Sequence, residues 1–75
     1  MKKEKSLILI GKRIKKIRME KGLSQEELAF RCETNRCYIG DIERGEHNPG
    51  AWFLIRIAES LGVEVGEFFP PLFKK

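Results

Sequence analysis

The side chains able to do covalent or metal chemistry are few: one histidine (His47), one aspartate (Asp41), three serines (Ser6, Ser24 and Ser60) and two cysteines (Cys32 and Cys37). Nucleophilic catalysis needs a hydroxyl or thiol beside an oriented base, and a zinc centre needs two ligand pairs. Ser6 and Ser24 stand at the heads of helical stretches, where a serine caps, and the two cysteines lack a second Cys/His pair at ligand spacing. No nucleophile–base pair, metal or cofactor is therefore expected, and the chain is read as a non-enzyme. Cys32 reads as a small buried hydrophobe and Cys37 as a half-exposed thiol.

The chemistry that the sequence does offer is recognition by charge. Residues 1–21 carry nine Lys/Arg against Glu4 and Glu20, a net of +7, while the remainder carries −3, together the overall +4. Lys12, Arg13, Lys15 and Lys16 concentrate positive potential on one segment, which favours a polyanionic partner such as nucleic acid. They come without interfacial aromatic residues, which argues against a membrane-surface role. Arg36 is the side chain best suited to read a base, since a guanidinium grips guanine O6 and N7 with two parallel hydrogen bonds.

Seventy-five residues suffice for one domain and one core. The composition, 41% hydrophobic and 35% charged, is ordinary globular usage. The longest apolar runs, Leu7 to Ile10 and Ala51 to Ile55, are far below the roughly 20 residues needed to span a bilayer. The chain shows no secretory leader and little disulfide capacity, so a reducing cytoplasm is the expected setting.

The elements that must position these side chains follow from apolar spacing. Leu7, Ile10, Ile14 and Ile17 predict a helix over about 7–21, with Ser6 as its cap and Gly22 as the glycine that stops it. Ser24-Gln25-Glu26-Glu27 has the form of a capping box, opening a short second helix over about 25–32 whose inner face is Leu28, Ala29 and Cys32. Thr34 and Asn35 can cap a third helix over about 36–44, carrying Tyr38, Ile39 and Ile42. After the loop Glu46-His47-Asn48-Pro49-Gly50, Phe53 or Leu54, Ile57, Ala58 and Leu61 carry a fourth helix to its terminating Gly62. Val65, Phe68 and Phe69 suggest a last short helix before Pro70-Pro71. The expectation is a compact all-α bundle of four or five helices, one domain over residues 1–75, with a basic N-terminal tail at 1–6 and a C-terminal tail at 70–75.

Two short amphipathic helices three residues apart leave the outer face of the second free for a major groove. Gly22-Leu23-Ser24-Gln25-Glu26-Glu27-Leu28-Ala29, Tyr38-Ile39, Ile42-Glu43-Arg44-Gly45, Asn48-Pro49, Ile57-Ala58 and Leu61-Gly62-Val63 occur in an order that resembles the lambda-repressor-like (Cro/C1-type, XRE) helix-turn-helix family, over residues 10–69. With the chain ending where that domain ends, it is most similar to the small stand-alone regulators of the family, in particular the controller proteins of restriction–modification systems.

The resemblance implies a sequence-specific transcriptional regulator that binds a pseudo-palindromic DNA operator as a homodimer; RNA polymerase is a further candidate partner. The alternative that keeps the fold is an antitoxin-like protein-interaction module with secondary DNA binding. By position, the resemblance assigns base reading to Arg36, Cys37, Gly40 and Asp41, all expected on the outer face of the third helix, with Asp41 accepting from a cytosine amine or bracing Arg36. It assigns phosphate contacts to Gln25, Asn35, Arg44, His47, Asn48 and Lys16, and a structural ion pair to Arg18 and Glu43. Dimerisation is expected through Val65, Phe68, Phe69, Leu72 and Phe73. Glu33 and Thr34 depart from the family pattern, standing where a glycine and a small apolar residue are frequent, which predicts either local strain in the turn or a different backbone path.

Overall fold

The computed structural model describes residues 2–71. Its helices are α1 (Lys3–Glu20), α2 (Gln25–Arg31), α3 (Arg36–Glu43) and α4 (Ala51–Leu61), followed by a 3₁₀ turn at Val65–Phe68. No strand occurs among the described residues, and none of these helices is long and apolar enough to cross a membrane. The architecture is all-α. Leu72 and Phe73, two of the residues expected at a dimer interface, lie outside the described residues.

The boundaries follow from caps. At the start of α2 the Glu27 N–H donates to Ser24 Oγ at 3.0 Å and the Ser24 N–H donates to Glu27 Oε1 at 2.8 Å, so the capping box is closed in both directions. The Ser24 N–H, followed by the Ser24 hydroxyl, holds the Glu27 carboxyl below its usual range. Asn35 Oδ1 accepts the Tyr38 N–H at 2.9 Å and caps α3. At the end of α1, the Gly22 N–H donates to the Met19 carbonyl at 3.0 Å and the Leu23 N–H to the Arg18 carbonyl at 3.1 Å, the Schellman pattern.

One boundary differs from that expected. α1 begins at Lys3, so residues 3–6 are its first turn rather than a tail. Ser6 is not the cap; its hydroxyl donates back to the Lys2 carbonyl at 3.1 Å, a bond available only to a residue already inside the helix. α4 opens directly after the Asn48-Pro49-Gly50 loop, with Trp52 of its first turn facing solvent, off the apolar stripe.

Ile14, Ile17, Leu28, Ala29, Cys32, Ile39, Ile42, Leu54, Ile57, Ala58, Leu61 and Phe68 form one buried cluster drawn from every element. Phe68 is fully buried in this cluster, since the 3₁₀ turn folds back onto both α1 and α4. It closes the core and has no surface to give to a partner, which removes it from the expected interface. Val65 is half-buried against the same cluster, and Phe69 is left exposed.

α1 and α3 approach so closely that glycine is required at the crossing. A Cβ on Gly11 would run into the carbonyls of Ile42 and Glu43, and one on Gly45 would lie 2.7 Å from the Ile8 Cα. Gly45 also has φ of +76°, a conformation that L side chains rarely adopt. The end of α3 is thereby pressed onto the first half of α1.

Candidate nucleic-acid interface

The close crossing brings together the side chains that join α1, α2 and α3. Glu43 accepts from Arg18 Nε at 2.6 Å, from Arg18 Nη2 at 3.1 Å and from Gln25 Nε2 at 2.9 Å. The remaining Arg18 nitrogen, Nη1, donates to the Leu23 carbonyl at 2.7 Å. Both charges are taken out of water, yet none of the buried side-chain polar atoms described lacks a partner. A bidentate guanidinium–carboxylate pair with its spare donor used is the geometry in which burial of two charges is tolerated. The network ties the end of α3 to the N-terminus of α2 through one carboxylate.

Around this joint, Arg36 and Cys37 are exposed at the start of α3 and Asp41 is half-exposed further along. Gly40, expected on the outer face, is buried instead. Without a side chain of its own it lies under the Arg44 guanidinium and the Gln25 amide, whose nitrogens are 3.0 Å and 3.7 Å from where its Cβ would sit. Gly40 presents no group to a base; its lack of a side chain is what lets Gln25 and Arg44 lie against α3.

Asp41 does not brace Arg36. Its Oδ1 accepts from Arg44 Nη2 at 2.6 Å, one helical turn on, and Arg44 Nε donates to Glu46 Oε1 at 3.1 Å. The Glu46 hydrogen bond and charge, then Asp41, raise the Arg44 guanidinium above its ordinary value. An i,i+3 partner is within reach, whereas Arg36 lies five residues back, beyond the i,i+3 and i,i+4 pairs that meet along a helix. Arg44 keeps its Nη1 hydrogens free of these two carboxylates, while Nε and Nη2 are held by them.

The other expected phosphate contacts fall into two groups. Gln25 opens α2 with its amide nitrogen committed to Glu43, and Asn35 opens α3 with its carbonyl oxygen committed to the cap. Beyond α3, His47 and Asn48 are exposed, and the His47 ring meets Tyr38 edge-on at 4.7 Å, with Tyr38 in turn edge-on to Phe53 at 5.1 Å. This aromatic ladder fixes the loop after α3 to α4. Lys16 stands apart from the rest. Gly11 and Arg18, seven residues apart, share the edge of α1 that faces α3, while Lys16 borders a groove on the other side with Arg13, Ile17, Glu20 and Glu67. It lies outside the α2–α3 surface, on the opposite side of α1.

One set of residues escaped sequence reasoning. The turn between α2 and α3 is held from α4 by Arg56, which donates through Nε to the Cys32 carbonyl at 3.0 Å and through Nη2 to Glu33 Oε1 at 2.5 Å. The only sequence signal was an oddity at the turn itself, a glutamate where glycine is frequent. Nothing in the spacing of α4 pointed to its partner.

A helix-turn-helix family (HTH_3) matches residues 14–68, which contain α2, the turn, α3 and α4. The chain belongs to the helix-turn-helix family. Within that family it is similar to the control protein C.BamHI of Bacillus amyloliquefaciens, at 43% identity over 58 residues that cover 76% of this chain and 72% of the relative. It is also 43% identical over 56 residues to the immunity repressor protein of Bacillus phage phi105, covering 75% of this chain but 39% of the repressor, so it spans less than half of that protein. Among solved structures, the restriction-modification controller protein C.AhdI from Aeromonas hydrophila superposes with a TM-score of 0.81 at 40% identity, over 84% of this chain and 96% of that one. The helix-turn-helix here is the DNA-binding domain of a transcriptional regulator, similar to those of restriction–modification controller proteins.

Proposed function

We propose that this protein is a sequence-specific regulator that binds a pseudo-palindromic operator as a homodimer, with one α3 in the major groove of each half-site, and that it controls a restriction–modification system. The observation that carries the reading is the Arg18–Glu43–Gln25 joint. It ties α3 to α2 while leaving Arg36 and Cys37 exposed at the leading end of α3. A reading helix must be fixed in orientation yet open on one face, and this arrangement supplies both. Similarity to C.BamHI and C.AhdI supports the particular system regulated.

In this reading Arg36 reads a guanine, Cys37 and Asp41 flank it, and Gln25, Asn35, Arg44, His47 and Asn48 approach phosphates along the same strand edge. The two-fold contact is placed at the C-terminal end, on exposed Phe69 and half-buried Val65 together with Leu72 and Phe73. A contact there sets the two copies of α3 about 34–36 Å apart, one turn of duplex.

Selection of bound fragments from random DNA tests the reading directly. The expected result is a motif with two inverted half-sites, bound roughly 10³-fold or more tightly than random sequence and with affinity that falls steeply with salt. Sedimentation of Phe69→Asp alongside the parent tests the dimer, with a folded monomer of half-site affinity expected. Recovery of no common motif would overturn the reading.

A further inference from the structure

Among the described residues, four chain reversals place a residue in the left-handed region, and three use glycine: Gly22, Gly45 and Gly62, at φ of +74°, +76° and +71°. The fourth is the turn between α2 and α3, where Glu33 has φ of +57°. The Glu33 N–H donates to the Phe30 carbonyl at 3.1 Å and the Thr34 N–H to the Ala29 carbonyl at 2.9 Å, so Glu33 ends α2 in the same way that the glycines end α1 and α3. A side chain in that conformation is disfavoured unless something else holds it.

What holds it is Arg56. Its guanidinium grips the Glu33 carboxylate and the Cys32 carbonyl, the latter being an acceptor that the end of α2 leaves without a helical partner. Trp52, one turn earlier on α4, lies with its ring 5.3 Å from the Arg56 guanidinium carbon and keeps it over the turn. The backbone at Glu33 and Thr34 sets the angle at which α3 leaves α2. Resting on the reading that α3 enters DNA, we propose that Arg56 is a positioning residue for operator recognition, acting through Glu33 to hold α3 at the angle that reads bases.

The test is a cycle of Arg56→Ala, Glu33→Gly and the double variant, measured by affinity for the selected operator, affinity for random DNA and hydrogen exchange of the Thr34 amide. Arg56→Ala is expected to lower operator affinity about fivefold, with a smaller effect on random DNA, and to quicken Thr34 exchange by a similar factor. Glu33→Gly alone should stay near the parent. The double variant should recover operator affinity and Thr34 protection, because glycine adopts the left-handed conformation without a tether.

Equal loss on operator and random DNA with Thr34 unchanged would make Arg56 a phosphate contact and overturn the proposal. So would a double variant no better than Arg56→Ala. If Arg56→Ala does not fold, the double variant still decides, since recovery of both readouts supports positioning and its absence refutes it. A parent with no preferred DNA would refute the operator reading instead, while Thr34 exchange would continue to report on the turn.

Discussion

Two arginine–glutamate pairs fasten the helix-turn-helix, one at each end of α3, and they differ in their access to water. Arg18 and Glu43 meet at 2.6 Å with side chains 8% and 2% exposed, whereas Arg56 and Glu33 meet at 2.5 Å with side chains 28% and 80% exposed. Bond length does not distinguish them; burial does. In the dry pair each charge depends on the other, because neither has water to fall back on. In the wet pair either partner can be resolvated, so the interaction contributes little to stability and acts mainly by choosing a backbone conformation. The same two residue types thus serve as a joint of the fold at one end of α3 and as a trim on its direction at the other.

The largest expected effect is on the dry pair. Glu43→Ala strands the Arg18 guanidinium and releases Gln25, and should destabilise the domain by about 3–5 kcal/mol, a large share of what so small a domain possesses. Thermal melting with and without operator measures it. A variant that melts like the parent yet binds DNA poorly would move Glu43 from the fold to the binding surface and dissolve the contrast.

Gly11→Ala reaches the same joint from α1. Alanine is the better helix former by about 1 kcal/mol, but its methyl meets the backbone of Ile42 and Glu43, which cannot rotate away. A net loss of about 2–3 kcal/mol is expected by denaturant titration, and a gain in stability would mean that the crossing is loose enough to yield.

At the reading end, Arg36→Ala should cost about 1–3 kcal/mol on the cognate operator and relax preference at one base pair, with the melting temperature unchanged. Lys16→Ala, on the far side of α1, should weaken all DNA by one smaller factor and make the salt dependence shallower. If both substitutions affected operator and random DNA alike, Arg36 would be a phosphate contact.

The wet pair should show a coupling of about 1 kcal/mol or less in a double-mutant cycle of stability, shrinking as salt is raised to about 1 M, where the screening length is roughly 3 Å. The coupling of Arg18 with Glu43 should persist in the same salt. Comparable salt sensitivity of the two couplings would show that water reaches both.

The smallest effect concerns the cap of α2. The Glu27 carboxyl is held below its ordinary value by the Ser24 N–H. A depressed folded-state value means that the stabilisation is present above the unfolded-state value and is lost as pH falls through the folded one. Glu27→Gln keeps the reach of the side chain and removes its titration, so its melting temperature should fall less steeply than the parent's in that acid window. Identical slopes would show that the cap makes no contribution to acid sensitivity.

What the sequence by itself determined about this protein is whatever is written in neighbouring residues. The box at Ser24 and Glu27, the Asn35 cap and the glycine stops are local chemistry, legible because each partner lies within four residues of the other. The buried stripes of α2 and α3 were legible for the same reason, as helical spacing brings i, i+3 and i+4 to one face. The Arg18–Glu43 pair and the family came from resemblance, since nothing in the spacing of residues 25 apart predicts contact.

The tertiary structure alone decided the rest. Gly40 was expected outside and is covered, because the cover comes from Gln25 on another helix and from Arg44. Asp41 turned to Arg44 because two carboxylates, Asp41 and Glu46, gather one guanidinium at the end of α3. Phe68 and Phe69 are adjacent apolar residues of the same type, and which one fills the core is settled by the direction in which the 3₁₀ turn folds back between α1 and α4. Arg56 holds a turn that it follows by more than twenty residues, a contact that exists only once α4 has packed beside α2. Local rules place caps and stripes, while the pairing of distant charges and the choice of which apolar surface is left over depend on how the helices cross.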